Sequence, residues 1–320
     1  MSHWRNILIR TLLGLLPALA LADEAPLSLL AQGRVDQAIA SLQGQLNSMP
    51  NDAESHHLLC RSYFALGAWD RAIAECEKAV QLGPQNSRYH LWLGRAYGEK
   101  ADSVSFLIAA GLARKVRTEF ETAVQLDPNS ADARTDLAEF YLEAPGIVGG
   151  GHDRAEAQAQ VLDKLDPPMA HWVRGRLAEK HKELERAEQE YRAAIEASHG
   201  GAYAWFNLAL FYRHQQKWDE MEKTVHQAAS APIDRPEILM ESGEILIRAG
   251  RDFPGATQLL RRYLAGATVE QAPAFKAHYW LGTVLEKQGD KDGAAREYRA
   301  SLALAKDYSR SREALNHLSR

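Results

Sequence analysis

A small residue recurs along this chain at intervals close to 34 residues, and this periodicity constrains the fold more than any other feature. The series reads Cys60, Gly94, Ala138, Gly175, Ala209, Gly243 and Gly282, with spacings of 34, 44, 37, 34, 34 and 39. A second series follows it in step: Ala72, Val116, Ala155, Ala187, Met221, Ala256 and Ala294. Self-similarity at such a period indicates stacked supersecondary units rather than one layered domain.

Each unit is predicted to be two antiparallel helices joined by a tight turn. Small residues in the two series let the two helix axes approach closely. Glycines fall where the turns are expected, and prolines fall where the second helices should end: Gly67, Gly250, Gly289; Pro84, Pro128, Pro167. One helix pair cannot bury its apolar face alone, so the units must stack.

The pattern resembles the tetratricopeptide repeat (TPR). The stretch Ala53–Pro84 carries the residues of that motif in order: Leu59, Tyr63, Gly67, Ala72, Ala79 and Pro84. The resemblance, which looks closest to an exported bacterial type, implies an all-α fold, a right-handed α-solenoid of TPR helix pairs. We expect a degenerate N-terminal half repeat at 23–52, seven TPR-like repeats over 53–306 and a C-terminal capping helix at 307–320.

The first 22 residues differ from the rest and are predicted to be a signal peptide. Arg5 and Arg10 precede a short apolar run, and Ala20-Leu21-Ala22 fits a small-x-small cleavage site before Asp23. This predicts a periplasmic or secreted protein. The alternative is a membrane anchor formed by an uncleaved N-terminal helix. No later segment is apolar enough for the ~20 residues of a membrane span, so none is expected after cleavage.

Composition and motifs argue against several functional classes. The formal net charge is −4, and no basic stripe is interleaved with aromatics, so nucleic acid is not an expected partner. The sequence has no His-Glu-x-x-His, no nucleotide-binding P-loop and no Gly-x-Ser-x-Gly elbow. We therefore expect no catalytic residues, no metal and no cofactor.

Two cysteines, Cys60 and Cys76, occupy the eighth and twenty-fourth positions of one repeat, where both face the packing interior. A disulfide there would close a loop of 15 intervening residues. The other interpretation is that both are small buried hydrophobes. The sequence leaves the two open, and export favours the bridge.

Two insertions interrupt the repeat. The one near 98–110 contains Phe106, Leu107 and Ile108, which we expect to fold back as core; a projecting element gripped by a partner is the alternative. The second, near 144–151, reads Ala-Pro-Gly-Ile-Val-Gly-Gly-Gly. It is expected to be a structured turn with Ile147 and Val148 in the core. The alternative is an enzyme or small-ligand site at the Gly149–Gly151 loop, where backbone N–H groups could face an anion.

The resemblance implies that a concave groove, lined by the first helices, binds a protein or peptide. The candidate contacts are Arg61, Arg95, Trp172, Arg176, Tyr203, Phe206, Leu210, Arg213, Met240 and Tyr279. Aromatic residues and arginine are enriched in binding hot spots, and arginine favours a partner with acidic groups. The expected function is a non-catalytic scaffold in envelope assembly, secretion or polysaccharide export. A self-assembling structural solenoid is the other alternative, and the oligomeric state stays open.

Overall fold

The computed structural model describes residues 24–318, and the predicted signal peptide lies outside them. Within that range the chain forms α-helices, one short 3₁₀ turn at Gly146–Val148 and no strand. The first helices are α1 (Pro26–Ala31), α2 (Val35–Ser48), α3 (Ala53–Ala65), α4 (Trp69–Leu82), α5 (Ser87–Asp102), α6 (Phe106–Leu126), α7 (Ala131–Glu143) and α8 (His152–Leu165). The others are α9 (Pro167–Lys180), α10 (Leu184–Ala197), α11 (Ala202–His214), α12 (Trp218–Ser230), α13 (Glu237–Ala249), α14 (Phe253–Leu264), α15 (Ala274–Lys287), α16 (Lys291–Leu304) and α17 (Ser309–Leu318).

Consecutive helices pack as pairs, from α1 with α2 to α15 with α16, and α17 covers the last pair. The predicted all-α solenoid is confirmed. The turn within each pair includes a residue with positive φ, except the turn between α5 and α6. Gly67 supplies it at +73°, and Lys182 adopts +61° at the turn between α9 and α10. A side chain in that conformation is strained, so the Lys182 turn costs roughly 1–2 kcal/mol more than a glycine would.

The small-residue series exists because large side chains pack against it. A Cβ built on Gly94 would lie 2.4 Å from a ring carbon of Phe120, and one on Gly282 would lie 2.6 Å from a ring carbon of Tyr298. Each aromatic ring therefore fills the space where a side chain of the facing helix would stand. Glycine at these positions is a packing requirement rather than a turn signal.

The first full repeat replaces this aromatic contact with a covalent bond. Cys60 and Cys76 form a disulfide with Cα atoms 5.1 Å apart and a sequence separation of 16. Gly282 and Tyr298 are also 16 residues apart, so the disulfide joins the same two helix positions. Both cysteines are fully buried.

Histidine–carboxylate bonds tie the two helices of several pairs together. His56 Nδ1 lies 2.6 Å from Glu75 Oε2, and the same contact recurs 19 residues apart in other pairs. The equivalent contacts join His171 to Glu190 at 2.8 Å and His278 to Glu297 at 2.6 Å. These histidines are structural.

The two ends of the superhelix touch each other. Thr268 Oγ1 donates to the Ala31 carbonyl at 3.0 Å, and the Lys306 backbone N–H donates to Asp36 Oδ2 at 2.8 Å. One apolar cluster also unites residues of α1–α3 with Phe275 and Tyr308. The inner faces of the first helices consequently surround a central lumen.

Candidate functional site

The lumen contains a cavity of about 820 Å³. Its wall combines α3, α5, α6 and α7 with the 3₁₀ turn, the connector before α15, and α15 itself. The charged and the larger apolar residues of this wall include Arg61, Trp92, Arg95, Glu99, Asp102, Phe106, Asp136, Glu139, Phe140, Glu143, Ile147, Val148, Glu270 and Lys276. A volume of this size is in the range that holds a small ligand or a few side chains of a partner.

The two insertions meet at this cavity, which neither insertion alone would have indicated. The first lengthens α5 and α6 to 16 and 21 residues. The second forms the 3₁₀ turn that follows α7. Phe106 from the first and Ile147 from the second both line the cavity wall.

The expectation that Phe106, Leu107 and Ile108 fold back as core is wrong. Their side chains are 70%, 84% and 57% exposed. The reason is that the start of α6 extends past the core: none of its first ten residues is buried, and Val116 is the first that is.

The structure of the second insertion agrees with the expectation for one of its two apolar residues. Val148 is buried, whereas Ile147 is 74% exposed, so the prediction that both lie in the core is wrong for Ile147. The backbone N–H groups of the three glycines already donate hydrogen bonds to backbone carbonyls of the loop and of α7. Gly149 donates to Gly146 at 3.0 Å, Gly150 to Pro145 at 3.2 Å and Gly151 to Tyr141 at 2.9 Å. Because these donors already have acceptors, the loop does not offer them to an anion.

Three of the four arginines predicted to contact a partner, Arg61, Arg95 and Arg176, are already paired. Arg61 donates from Nε to Glu270 at 2.8 Å and makes a second bond to the same carboxylate. Arg95 Nε donates to Asp136 at 2.5 Å. Both guanidinium groups also lie over the Trp92 ring, 5.2 and 5.1 Å from its centroid. The Arg61–Glu270 bond joins chain segments 209 residues apart and is part of the closure of the superhelix.

Arg176 is occupied in the same way. It donates to Glu143 and lies 5.7 Å from the centroid of the Trp172 ring. Lys180 binds the other oxygen of Glu143 at 2.5 Å. The expected acidic groups of a partner would therefore have to displace carboxylates of this chain.

Three further residues that were predicted to contact a partner are buried. Trp172, Phe206 and Met240 are 8%, 6% and 4% exposed, which corrects the expectation that they face an open groove. They are part of the continuous core because first helices of successive pairs also pack on one another.

The remaining candidates lie apart from the cavity. Tyr203, Leu210 and Tyr279 are partly buried and pack against the core. Arg235 covers the Tyr203 ring with its guanidinium carbon 4.0 Å from the centroid. Arg213 lies near Arg248, and burial together with that like charge lowers its pKa. Of the ten predicted contacts, the cavity wall includes Arg61 and Arg95.

Carboxylates dominate the charge of the lumen, a feature that sequence reasoning missed. Burial raises the pKa of Glu139, and the neighbouring Asp136 and Glu143 add to the effect against Arg176. Burial raises the pKa of Glu99 as well, and Asp102 contributes. Glu99 and Glu139 line the cavity and are exposed to it, while the surrounding wall limits their hydration.

Carboxylates also cluster on α13. Burial raises the pKa of Glu241 to about 7, and the nearby Glu237 and Glu244 raise it further against the effect of Arg235. Lys276 shows the opposite response, since burial lowers its pKa although Glu99 partly offsets the shift.

His57 is a buried side chain without a hydrogen-bond partner for either ring nitrogen. It is 0% exposed, and its ring lies 4.9 Å from that of Tyr89. Burial, together with Arg61 and Arg88, lowers its pKa to about 3. His57 is therefore neutral in the folded protein at physiological pH.

One group in the described range has ligand atoms close enough for a metal ion: Glu222, His226 and Asp252. Its members already have structural roles. Glu222 accepts from Arg251 at 2.6 Å, and Asp252 caps α14 by accepting from the Gly255 N–H at 3.0 Å. These contacts account for the cluster. Between residues 24 and 318 no helix is both long and apolar enough to cross a membrane.

Comparisons with known proteins support the repeat. Family models of the tetratricopeptide repeat match residues 29–96, 148–202 and 275–308. Superkiller complex protein 3 of Mus musculus is 22% identical over 292 residues; the match covers 88% of this chain but only 17% of that relative.

Two solved structures are similar to this chain at low sequence identity. Yeast Tom70 is 16% identical with a TM-score of 0.53, over 89% of this chain and 58% of that one. A thermophilic TPR protein of Thermus thermophilus is 21% identical with a TM-score of 0.49, over 58% of this chain and 96% of that one. At these identities the likeness to Tom70 concerns the fold.

Proposed function

Because this chain is a tetratricopeptide-repeat protein, we propose that it is a non-catalytic scaffold that binds a short segment of another protein. The proposed binding site is the lumen cavity. The observation that carries this proposal is the meeting of both insertions at one cavity, where each presents an exposed apolar side chain, Phe106 and Ile147. Exposed apolar side chains around a concave site are typical of protein-binding surfaces.

The rest of the surface supports the same choice of site. Trp172 and Phe206 of the predicted groove are buried, and Arg61, Arg95 and Arg176 are paired within the chain. Assembly of copies through the end units has little surface to use, since the two ends pack on each other through Phe275 and Tyr308. A partner segment in the cavity leaves these contacts intact.

We also propose that the protein works in the cell envelope after export, in envelope assembly, secretion or polysaccharide export. The signal-like N-terminus motivates this location. The Cys60–Cys76 disulfide is consistent with it, since such bonds persist in oxidising compartments.

The proposal is tested by affinity capture from envelope extract with two matched variants. Phe106 and Leu107 are adjacent, apolar and exposed, but only Phe106 lines the cavity. We expect Phe106→Asp to lose a partner that wild type and Leu107→Asp both retain, with unchanged helical content by circular dichroism. Retention by both variants, or loss from both, would place the binding surface elsewhere.

A further inference from the structure

The charges of the cavity wall indicate what kind of segment it accepts. Resting on the function proposed above, we propose that the partner segment is basic and apolar: an apolar side chain lies between Phe106 and Ile147, and a lysine or arginine of the partner pairs with Glu139 or Glu99. This reverses the expectation from the sequence, in which the arginines of the groove favoured acidic groups.

The cavity wall carries more acidic than basic side chains. The wall carries six carboxylates and three cationic side chains. Three of the carboxylates form ion pairs: Glu270 with Arg61, Asp136 with Arg95, and Glu143 with Arg176. The other three are Glu99, Asp102 and Glu139.

These three carboxylates have no cationic partner in the described part of the chain, because none lies within 4.0 Å of their oxygens. The one remaining cation of the wall is Lys276, which likewise forms no ion pair at that distance. Lys276 acts on Glu99, and Arg176 on Glu139, from farther away, so the site as folded carries an excess of negative charge that its own residues offset only in part.

The three unpaired carboxylates line the same cavity as the exposed apolar side chains. Glu99 and Asp102 lie in the last turns of α5, just before Phe106 begins α6. Glu139 lies in α7, close in sequence to Phe140 and to the turn that carries Ile147. The first insertion thus brings Phe106, Glu99 and Asp102 to the wall, and Glu139 of α7 lies on the same wall as Ile147 of the second insertion.

The surroundings of Glu99 and Glu139 disfavour their negative charge. The pKa values of Glu99 and Glu139 are raised by burial and by neighbouring carboxylates. A cation in the cavity relieves that repulsion and is attracted strongly, since water is restricted there. An acidic side chain would add to the repulsion, so the wall discriminates against acidic segments as well as favouring basic ones.

The experiment is selection from a display library of random peptides on the purified chain. We expect the selected peptides to pair an aromatic or branched aliphatic residue with a nearby lysine or arginine. The best peptide, made synthetically, should bind Glu99→Gln/Glu139→Gln at least about tenfold more weakly, since a hydrogen bond to a charged group contributes that much. Glu196→Gln, an exposed carboxylate on α10, should leave its affinity unchanged.

The outcomes separate this inference from the proposed function. Peptides that are acidic or uncharged, yet depend on Phe106, would overturn the basic specificity and leave the scaffold function standing. Enrichment no greater than on a Phe106→Asp variant would contradict the cavity as a peptide site altogether, and both proposals with it. Circular dichroism melting of each variant excludes loss of the fold as the cause.

Discussion

The packing of Phe120 on Gly94 makes a quantitative prediction for one helix. Gly94 and Gly98 both lie inside α5, so replacing either by alanine gains roughly 1 kcal/mol of helix propensity. The two sites differ in space. A Cβ at Gly94 meets Phe120 ring carbons at 2.4 and 2.5 Å, whereas the nearest atom to a Cβ at Gly98 is Val116 Cγ2 at 4.0 Å.

Phe120 is buried in the core and has little room to move. Overpacking of that kind costs about 1–3 kcal/mol, and the short contact puts Gly94 at the upper end. We expect Gly94→Ala to lower the free energy of unfolding by about 2 kcal/mol and Gly98→Ala to raise it by about 1 kcal/mol. Urea denaturation followed by far-ultraviolet circular dichroism measures both.

A double-mutant cycle identifies the cause. Phe120→Leu removes the ring, so in the Gly94→Ala background it should recover at least about 1 kcal/mol relative to the sum of the single changes. Equal stabilities for Gly94→Ala and Gly98→Ala, or strictly additive effects with Phe120→Leu, would refute the idea that the small-residue series is set by facing side chains.

Three further predictions concern charge and the disulfide. The folded-state pKa of Glu241 is raised to about 7, so its ionisation destabilises the fold as pH rises through 7; Glu241→Gln should stabilise by about 1–3 kcal/mol at pH 8 and not at pH 4.5, by thermal or urea denaturation. His57, with its pKa lowered to about 3, takes up a proton more readily when unfolded, so stability is lost as pH falls below 6.5; His57→Leu should remove about 2 kcal/mol of the loss between pH 7 and 5. Cys60→Ala/Cys76→Ala should cost about 3 kcal/mol, and a reducing agent should weaken the wild type alone.

Each of these has an outcome that contradicts it. A uniform effect of Glu241→Gln at both pH values would mean that the side chain is fully hydrated. A pH dependence of unfolding that is the same with and without His57 would mean that its ring is protonated in the folded protein. Equal response of the wild type and the cysteine-free variant to reduction would show that the disulfide does not stabilise the fold.

The helix pairs could be predicted from the sequence because they depend on contacts that are close along the chain. Gly282 and Tyr298 are 16 residues apart, and the same spacing joins Cys60 to Cys76. Such local contacts recur with each repeat and leave a periodic signal. Whether the cysteines pair was less accessible, because a small buried residue and half of a disulfide satisfy the same position.

The cavity could not be predicted because it depends on closure and on exposure. Arg61 binds Glu270 across 209 residues, and no periodicity connects those positions. Trp172 and Phe206 have the composition of a binding surface, but the same residue types fill interfaces between repeats. The sequence feature that does mark the cavity is the departure from the repeat. Both insertions line the cavity, although their apolar residues were predicted to be part of the core.

The central claim is that a partner segment occupies the cavity between the insertions, and site-specific photo-crosslinking in cells tests it most directly. A photoreactive phenylalanine analogue would replace Ile147, which lines the cavity, or Val161, which is exposed on α8 away from it. The account predicts an adduct with one partner from position 147 and none from position 161, and the crosslinked peptide should contain lysine or arginine beside an apolar residue. An adduct with the same partner from position 161 but not from 147 would contradict it.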